Sequence, residues 1–400
     1  MEPLNAFSIT GLPKIYFGSG TFSGLPEIIS GYGRRALIFT GRESLKNSGR
    51  WETFTAGLDA ARVEYKTVSV KSEPSTEFVD AVVNEYRTMK ADVVVAIGGG
   101  SVIDSGKAVS AMLAECDSVK NYLEGVGTQK PSGSKIPFIA VPTTAGTGSE
   151  ATKNAVISDR KEGYKKSLRH DAYMPDAALV DPELTLGAPR YITIACGLDA
   201  VSQLIESYTS TKANVFTDSL ALKALSLAAT SLMPLSLGES NDIALRANMS
   251  YAALVSGITL SHAGLGAVHG IAGPMGGLFP VPHGVACGRL LFPVMTYVVK
   301  KIIDEKNIAA QKRFADIAKV LSGDNGDTVS GGHPHEDYSR KCKKFLGILD
   351  RWTRALKLPQ LSFFGMNAAI TGKIIDLADS KSSPVILSKE EIKVVLEIVR

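Results

Sequence analysis

The sequence predicts a parallel α/β domain over residues 1–188 followed by an all-α domain over 189–400. Three observations carry this expectation. In the first half, short apolar runs alternate with stretches of helical spacing, which is the pattern of a parallel sheet with right-handed crossovers. The Pro-containing break DPELTLGAP (181–189) interrupts that pattern. From residue 193 onward, long helical periodicity dominates and strand-like runs are few. A chain of 400 residues also exceeds one ordinary core, so two domains are expected.

Taken in order, RALIFT (35–40) reads as a buried strand and 44–60 as a helix. VEYKTVSV (63–70) alternates like a strand, and 76–90 has helical spacing. DVVVAI (92–97) is a strand, 101–115 a helix and IPFIAVP (136–142) a strand. In the second half the spacing predicts helices over 196–210, 214–237, 241–260, 284–303, 305–321, 337–357 and 389–399. The polar, Gly-rich stretch 322–338 reads as an exposed loop carrying solvated His333 and His335. The basic run 160–170 reads as a solvated edge, and no internal repeat is visible.

Hydrophobic residues at 44% and charged residues at 21% describe a soluble globular chain. The net charge of +4 slightly favours small anionic ligands and gives no case for nucleic acid. Cys116, Cys196, Cys287 and Cys342 are far apart and form no CxxC pair. A disulfide framework or structural zinc site is therefore not expected, and a reducing, cytoplasmic setting is. The start shows no signal-peptide pattern, and no apolar run suggests a membrane span.

The residues that can carry chemistry fall in four places. Gly98, Gly99, Gly100 and Ser101 follow an apolar strand and open a helix, so backbone N–H groups and the helix dipole can face a pyrophosphate. This is not the GxGxxG fingerprint, and a ligand-free tight turn is the alternative. Asp104 sits in the first helical turn, where it could cap N–H groups or hold a ribose or amide. About 45 residues on, Thr143, Thr144, Thr147, Gly148 and Ser149 make a second loop dense in donors, so a two-part nucleotide pocket is expected. In GLDAVSQLIESY, Asp199 and Gln203 share a helix face, with Glu206 a turn further along. A carboxylate and an amide oxygen can both ligate a divalent cation, although a polar interface stripe is the simpler reading of that segment alone. His262, His269 and His283 lie in a Gly/Pro-rich stretch that can fold back, so His269 and His283 together with Asp199 suggest a metal site. Leu278, Phe279, Pro280 and Val281 could line a substrate pocket or simply pack in the core.

Taken together, KIYFGSG, GGGSVIDSGKA, PTTAGTGSE, MPDAALVDPEL, GLDAVSQLIESY, HGIAGPMGGLFPVPHG and SSPVILSKEEI resemble the iron-containing (group III) alcohol dehydrogenase family, in its order and nearly end to end. The resemblance implies the dehydroquinate synthase-like fold of that family, with an N-terminal nucleotide-binding domain, a helical C-terminal domain and the active site in the cleft between them. It implies interconversion of a small alcohol with an aldehyde or ketone, using NAD(P)(H). The family's metal is held by an Asp and three His. Asp199, His269 and His283 fall on three of those positions, while the fourth carries Gln203, a weaker oxygen ligand for iron or zinc. A further family His in the cleft is replaced by Gly273. These departures define a subgroup with Gln in place of one ligand His. The resemblance further implies a catalytic set of Asp199, His269 and His283, with Gln203 a weak fourth ligand and the cation polarising the carbonyl as hydride arrives.

Many NAD-using relatives place an Asp after the strand RALIFT, where its charge repels a 2′-phosphate. Here that position is Gly41, followed by Arg42 and Ser44, which can pair with and hydrogen-bond a phosphate, so NADP(H) is favoured over NAD(H). Lys165 falls on a family lysine that reaches the cofactor near its ribose. A homodimer is the family expectation. A metal-independent reductase of the maleylacetate type, a lyase of the dehydroquinate synthase sort and a non-catalytic nucleotide-binding protein stay open as alternatives.

Overall fold

The protein is described here from a computed structural model, which covers residues 6–238, 240–323 and 334–400. The first-half elements, in chain order, are β1 (Lys14–Phe17), α1 (Leu25–Ser30), β2 (Arg35–Thr40), α2 (Ser44–Asn47), α3 (Arg50–Ala60), β3 (Glu64–Ser69), α4 (Thr76–Tyr86), β4 (Val93–Gly98), α5 (Gly100–Met112), β5 (Phe138–Pro142), β6 (Asn154–Asp159), β7 (Tyr164–Arg169) and β8 (Ala177–Val180). Six strands form one sheet in the order β1-β8-β5-β4-β2-β3, every pairing parallel. The remaining two, β6 and β7, form an antiparallel ribbon.

The apolar runs are continuous because both faces of the sheet are covered. Along β2 and β4, Ile38, Val93, Val95 and Ile97 face one layer with Leu25, Ile29, Phe54 and Leu58 of α1 and α3. The intervening Leu37, Phe39, Val94 and Ala96 face the other, with Val79, Val83, Ile103 and Val109 of α4 and α5. Side-chain alternation with period two sorts one run of residues into two cores.

The second half contains α6 (Arg190–Thr209), α7 (Val215–Leu237), α8 (Ile243–Ala263), α9 (Ala267–Leu278), α10 (His283–Asp304), α11 (Ile308–Ser322), α12 (Pro334–Leu356), α13 (Ala368–Leu377) and α14 (Lys389–Val399). Their starts carry explicit caps: Asn214 and Thr217 form a capping box on α7, as do Ser388 and Glu391 on α14. The side chains of Asp242, Asn307 and Asn367 cap α8, α11 and α13. The chain divides into two compact units. One comprises Thr10–Thr144 with Gly148–Leu186, and the other Met1–Ile9, Ala145–Thr147 and Gly187–Arg400.

Several expectations need amending. The helix over 44–60 is two helices, broken where Gly49 takes the left-handed φ of 70°. Strand β7 lies in the basic run that read as a solvated edge; its YKKSLR composition hides a strand whose partner β6 buries Leu168. Helix α9 was not read because its four glycines and Pro274 have poor helix propensity. Helices α7 and α8 are long and apolar enough to cross a membrane by length and composition, contrary to the expectation that no such stretch exists. Both contribute instead to the helical core, through Ala221, Leu225, Leu232, Met249 and Val255. Most of the expected loop, 324–333 with His333, lies outside the described residues, as does the side chain of His335; Ser322 ends α11, Gly323 caps it, and residues 334–338 begin α12.

Candidate active site

Strand β4 delivers Gly98 to the carboxyl edge of the sheet, and Gly99 precedes α5 in extended backbone. The adjacent strand β5 delivers Thr143 to the same edge, where its N–H donates to the Gly98 carbonyl at 2.9 Å. Gly98 and Gly99 therefore stand beside Thr143 and Thr144 in one unit. A Cβ at Gly99 would lie 3.3 Å from the Thr144 hydroxyl, a tight contact that would push Thr144 back by a few tenths of an ångström. Gly100 and Ser101 form the first turn of α5, with Thr143, Thr144 and Ser149 in the neighbouring loop, whereas Thr147 belongs to the helical unit.

Asp104 is buried on α5 and accepts a hydrogen bond from the Val156 N–H at 3.1 Å through Oδ2. Its Oδ1 has no hydrogen-bond partner among the described residues. Burial pushes this carboxyl above its ordinary range, against the pull of the Lys107 ammonium. Such an orphaned acceptor, beside two loops rich in N–H groups, fits a hydroxyl or amide of a nucleotide.

Lys107 is a residue that the sequence reading missed. It is fully buried, and its Nζ donates to the carbonyls of Ser149 (2.8 Å), Thr152 (2.7 Å) and Asn154 (2.9 Å) and to the Thr152 hydroxyl (2.8 Å). Burial pulls it down to about 8 and pushes the neighbouring Glu150 up to about 7. The ammonium pins the second loop to α5. The signal was present in the run SVIDSGK, three residues beyond Asp104.

At the end of β2, a Cβ on Gly41 would meet only the Ser44 Oγ, at 4.0 Å. The exposed Arg42 guanidinium donates to the Lys71 carbonyl at 2.7 Å through Nη2. Lys165, on β7, is paired with Glu73 at 2.8 Å.

The second cluster lies wholly in the helical unit. Asp199 comes from α6, His269 from α9, and His283 and Cys287 from α10. One ligand atom from each of the four lies within 4.8 Å of all the others. His269 Nε2 is 3.3 Å from Asp199 Oδ1, and His283 Nε2 is 3.7 Å from it. The start of α10 can come this close to α6 because residue 284 is glycine: a Cβ there would collide with the Ala195 carbonyl oxygen. Asp199 and His269 are buried, whereas the His283 side chain keeps 32% of its exposure, so the cluster opens to solvent on one side.

Glu206, one face further along α6, is buried and fixes His269. It accepts from the Val268 N–H at 2.6 Å and sits 2.6 Å from His269 Nδ1. With its proton on Nδ1, His269 aims the Nε2 lone pair at Asp199, an acceptor facing an anion. That arrangement calls for a positive charge between them, supplied by a second ring proton or by a divalent cation, and the donor set fits the cation. Burial works against the charged forms of both residues. It is outweighed in each: the two imidazoles and the thiol hold Asp199 below its ordinary range, while Cys287, Asp199 and Glu206 hold His269 well above its own.

Gln203 is buried on the same face of α6, but its Oε1 accepts from the Ser256 hydroxyl at 2.6 Å. Cys287 was missed as a site residue, although it follows His283 by four on one helix. A Cβ on Gly273 would meet nothing within 4 Å, so the position of the absent family histidine is open space. Phe279 and Val281 are buried in the helical core rather than lining an open wall.

Comparison with known proteins identifies the family. Residues 13–182 match the model described as iron-containing alcohol dehydrogenase, and residues 193–361 match the Fe-containing alcohol dehydrogenase family, C-terminal. The chain is 33% identical over 333 residues to a probable alcohol dehydrogenase, EutG, of Escherichia coli K12, covering 82% of this chain and 80% of that one. It is 29% identical over 399 residues to an NADPH-dependent butanol dehydrogenase of Clostridium saccharobutylicum, covering 97% of each. A crystal structure of an archaeal halo-thermophilic alcohol dehydrogenase from a Red Sea brine pool superimposes with a TM-score of 0.89 at 25% identity, covering 100% of both chains. The chain thus belongs to the iron-containing alcohol dehydrogenase family, as an oxidoreductase that moves hydride between NAD(P)(H) and an alcohol or aldehyde.

Proposed function

We propose that the chain is a metal-assisted, NADP(H)-preferring reductase of small aldehydes, acting also on the corresponding alcohols. The observation that carries this reading is the convergence of Asp199, His269 and His283 from three helices on one point. These residues would hold a divalent cation, iron or zinc. When bound, the cation supplies Lewis acidity to a carbonyl, and nicotinamide supplies the hydride. Glu206 keeps the Nδ1 proton of His269 in place, which leaves Nε2 free to ligate. The backbone of Gly98–Ser101 presents N–H groups to the pyrophosphate, and Asp104 offers its open oxygen to the nucleotide. Thr143, Thr144, Thr147 and Ser149 supply further donors, and Lys107 holds the second loop in shape.

The preference for the 2′-phosphate rests on Gly41, Arg42 and Ser44. A Cβ on Gly41 would meet only the Ser44 Oγ, at 4.0 Å, residue 41 itself carries no carboxylate to repel a phosphate, and Arg42 is exposed beside it. Lys165, now paired with Glu73, would exchange that partner for the ribose or phosphate side of the cofactor. A homodimer fits the open edge of β1, whose Ile15 and Phe17 are exposed. Four cysteines, none of them in a disulfide, fit a reducing, cytoplasmic setting.

The test pairs elemental analysis of the purified chain with an aldehyde panel run against NADPH and NADH. His269→Ala is expected to lose bound metal and turnover together. Undiminished turnover in that variant, with chelators having no effect, would favour the metal-independent reductase.

A further inference from the structure

We infer that Cys287, as a thiolate, is the fourth ligand of the cation held by Asp199, His269 and His283, in place of the imidazole that the family carries at position 203. The inference rests on the metal reading above and concerns which side chain completes the donor set.

The distances support it. A tetrahedral site with metal–nitrogen bonds of about 2.0–2.1 Å and a metal–sulfur bond of about 2.3 Å has nitrogen–sulfur edges of about 3.5 Å and nitrogen–oxygen edges of about 3.4 Å. Cys287 Sγ lies 3.5 Å from His269 Nε2 and 3.5 Å from His283 Nε2. The two nitrogens lie 3.3 Å and 3.7 Å from Asp199 Oδ1. Four of the six edges thus match those of a single small cation, and one ligand atom from each residue lies within 4.8 Å of the others. The thiol sulfur stands at equal distance from both imidazole nitrogens and also lies against the Asp199 carboxylate, so it shares one centre with the other three donors.

Gln203 is a poorer candidate. Its amide oxygen already accepts from Ser256, which ties α6 to α8. The change from imidazole to amide at one corner is offset by a thiol at another, presented from the same helix as His283 and one turn on. Cys287 is fully buried, with its sulfur beside the other three donors. On binding, the sulfur–metal bond forms as the S–H bond breaks and the proton leaves to solvent; no electrons are exchanged.

This donor set carries two negative charges, one from Asp199 and one from Cys287, against the single negative charge of an Asp and three neutral imidazoles. A bound dication is then neutralised within its ligands. Thiolate softness also favours zinc over iron.

The full-length protein, stripped with a chelator, is reloaded with cobalt(II) as an optical probe and separately with zinc for X-ray absorption. Cobalt in the wild-type chain is expected to show near-ultraviolet sulfur-to-metal charge transfer. Cys287→Ser should lose that band and bind zinc about tenfold or more weakly, whereas Gln203→Ala should keep the band. Zinc in the wild-type chain, which needs no variant, should show one sulfur neighbour at about 2.3 Å. Stoichiometric metal with only nitrogen and oxygen neighbours, or a band that survives Cys287→Ser, would overturn the assignment while leaving the metal site intact. Failure of the wild-type chain to bind either metal, or binding unaffected by His269→Ala, would overturn the metal reading and this assignment with it.

Discussion

Replacing Glu206 by Gln tests the site through a residue that touches no substrate. In the native chain one carboxylate oxygen accepts the Val268 N–H at 2.6 Å, while the other sits 2.6 Å from His269 Nδ1. An amide keeps only one acceptor. If its NH2 faces Val268, two donors oppose each other in a buried site. If it faces His269, Nδ1 must become the acceptor, and the ring proton moves to the nitrogen aimed at Asp199. Either arrangement degrades Nε2 as a ligand. Loss of such a partner typically costs 10–100-fold in metal affinity, or about 1.4–2.7 kcal/mol. The assay is thermal or urea unfolding with and without zinc, at free zinc set near one hundred times the wild-type Kd. There zinc stabilises the wild-type chain by about 2.7 kcal/mol. A hundredfold weaker variant would gain only about 0.4 kcal/mol at the same free zinc. Equal zinc-dependent stabilisation of Glu206→Gln and wild type would refute the claim that Glu206 sets the tautomer of His269.

Three further outcomes follow from the structure. Gly41→Asp should raise KM for NADPH at least about tenfold, with little change for NADH, because a carboxylate then stands where the 2′-phosphate is expected; an unchanged cofactor ratio in steady-state kinetics would place the phosphate elsewhere. Lys107→Ala removes the donor that four buried acceptors share and should destabilise the first unit by about 3–5 kcal/mol, measured by urea unfolding. Asp92→Asn should cost about 1 kcal/mol near neutral pH, because the carboxylate accepts from the backbone N–H groups of Arg34 and Arg35 and pairs with the Arg35 guanidinium. Those partners, the Arg35 side chain above all, lower Asp92 from 3.8 to about 2, so the stabilisation is complete above its ordinary value and lost as the pH falls toward about 2. The difference between variant and wild type should therefore vanish in acid, and a difference that persists there would assign the effect to packing.

What the sequence made legible was whatever local chemistry dictates. Three central strands, β2, β4 and β5, announced themselves as apolar runs because both sheet faces are buried, the edge strand β3 through its alternation, and the glycine loops after β4 and β5 followed directly. Strands β1 and β8, four residues each, are too short for a period to register. Asp199, His269 and His283 could be grouped through the resemblance, which fixes positions across long gaps. Cys287 could not, since a lone cysteine on an apolar helix reads as core until the other three donors are seen to meet it. Lys107 was hidden for the opposite reason: a lysine is read as solvated unless tertiary structure shows the carbonyls that replace water around it.

The buried ammonium of Lys107 has a consequence for how a nucleotide is received. Because it grips the main-chain oxygens of Ser149, Thr152 and Asn154 from within, the chain leaving the Thr/Gly-rich loop is held in shape by the protein's own contacts. Little chain entropy is then forfeited on docking, and affinity reflects contacts made rather than order created. The same anchorage makes affinity hostage to a position the cofactor never meets, so drift at residue 107 would surface as a weakened grip on the dinucleotide with every contacting group intact.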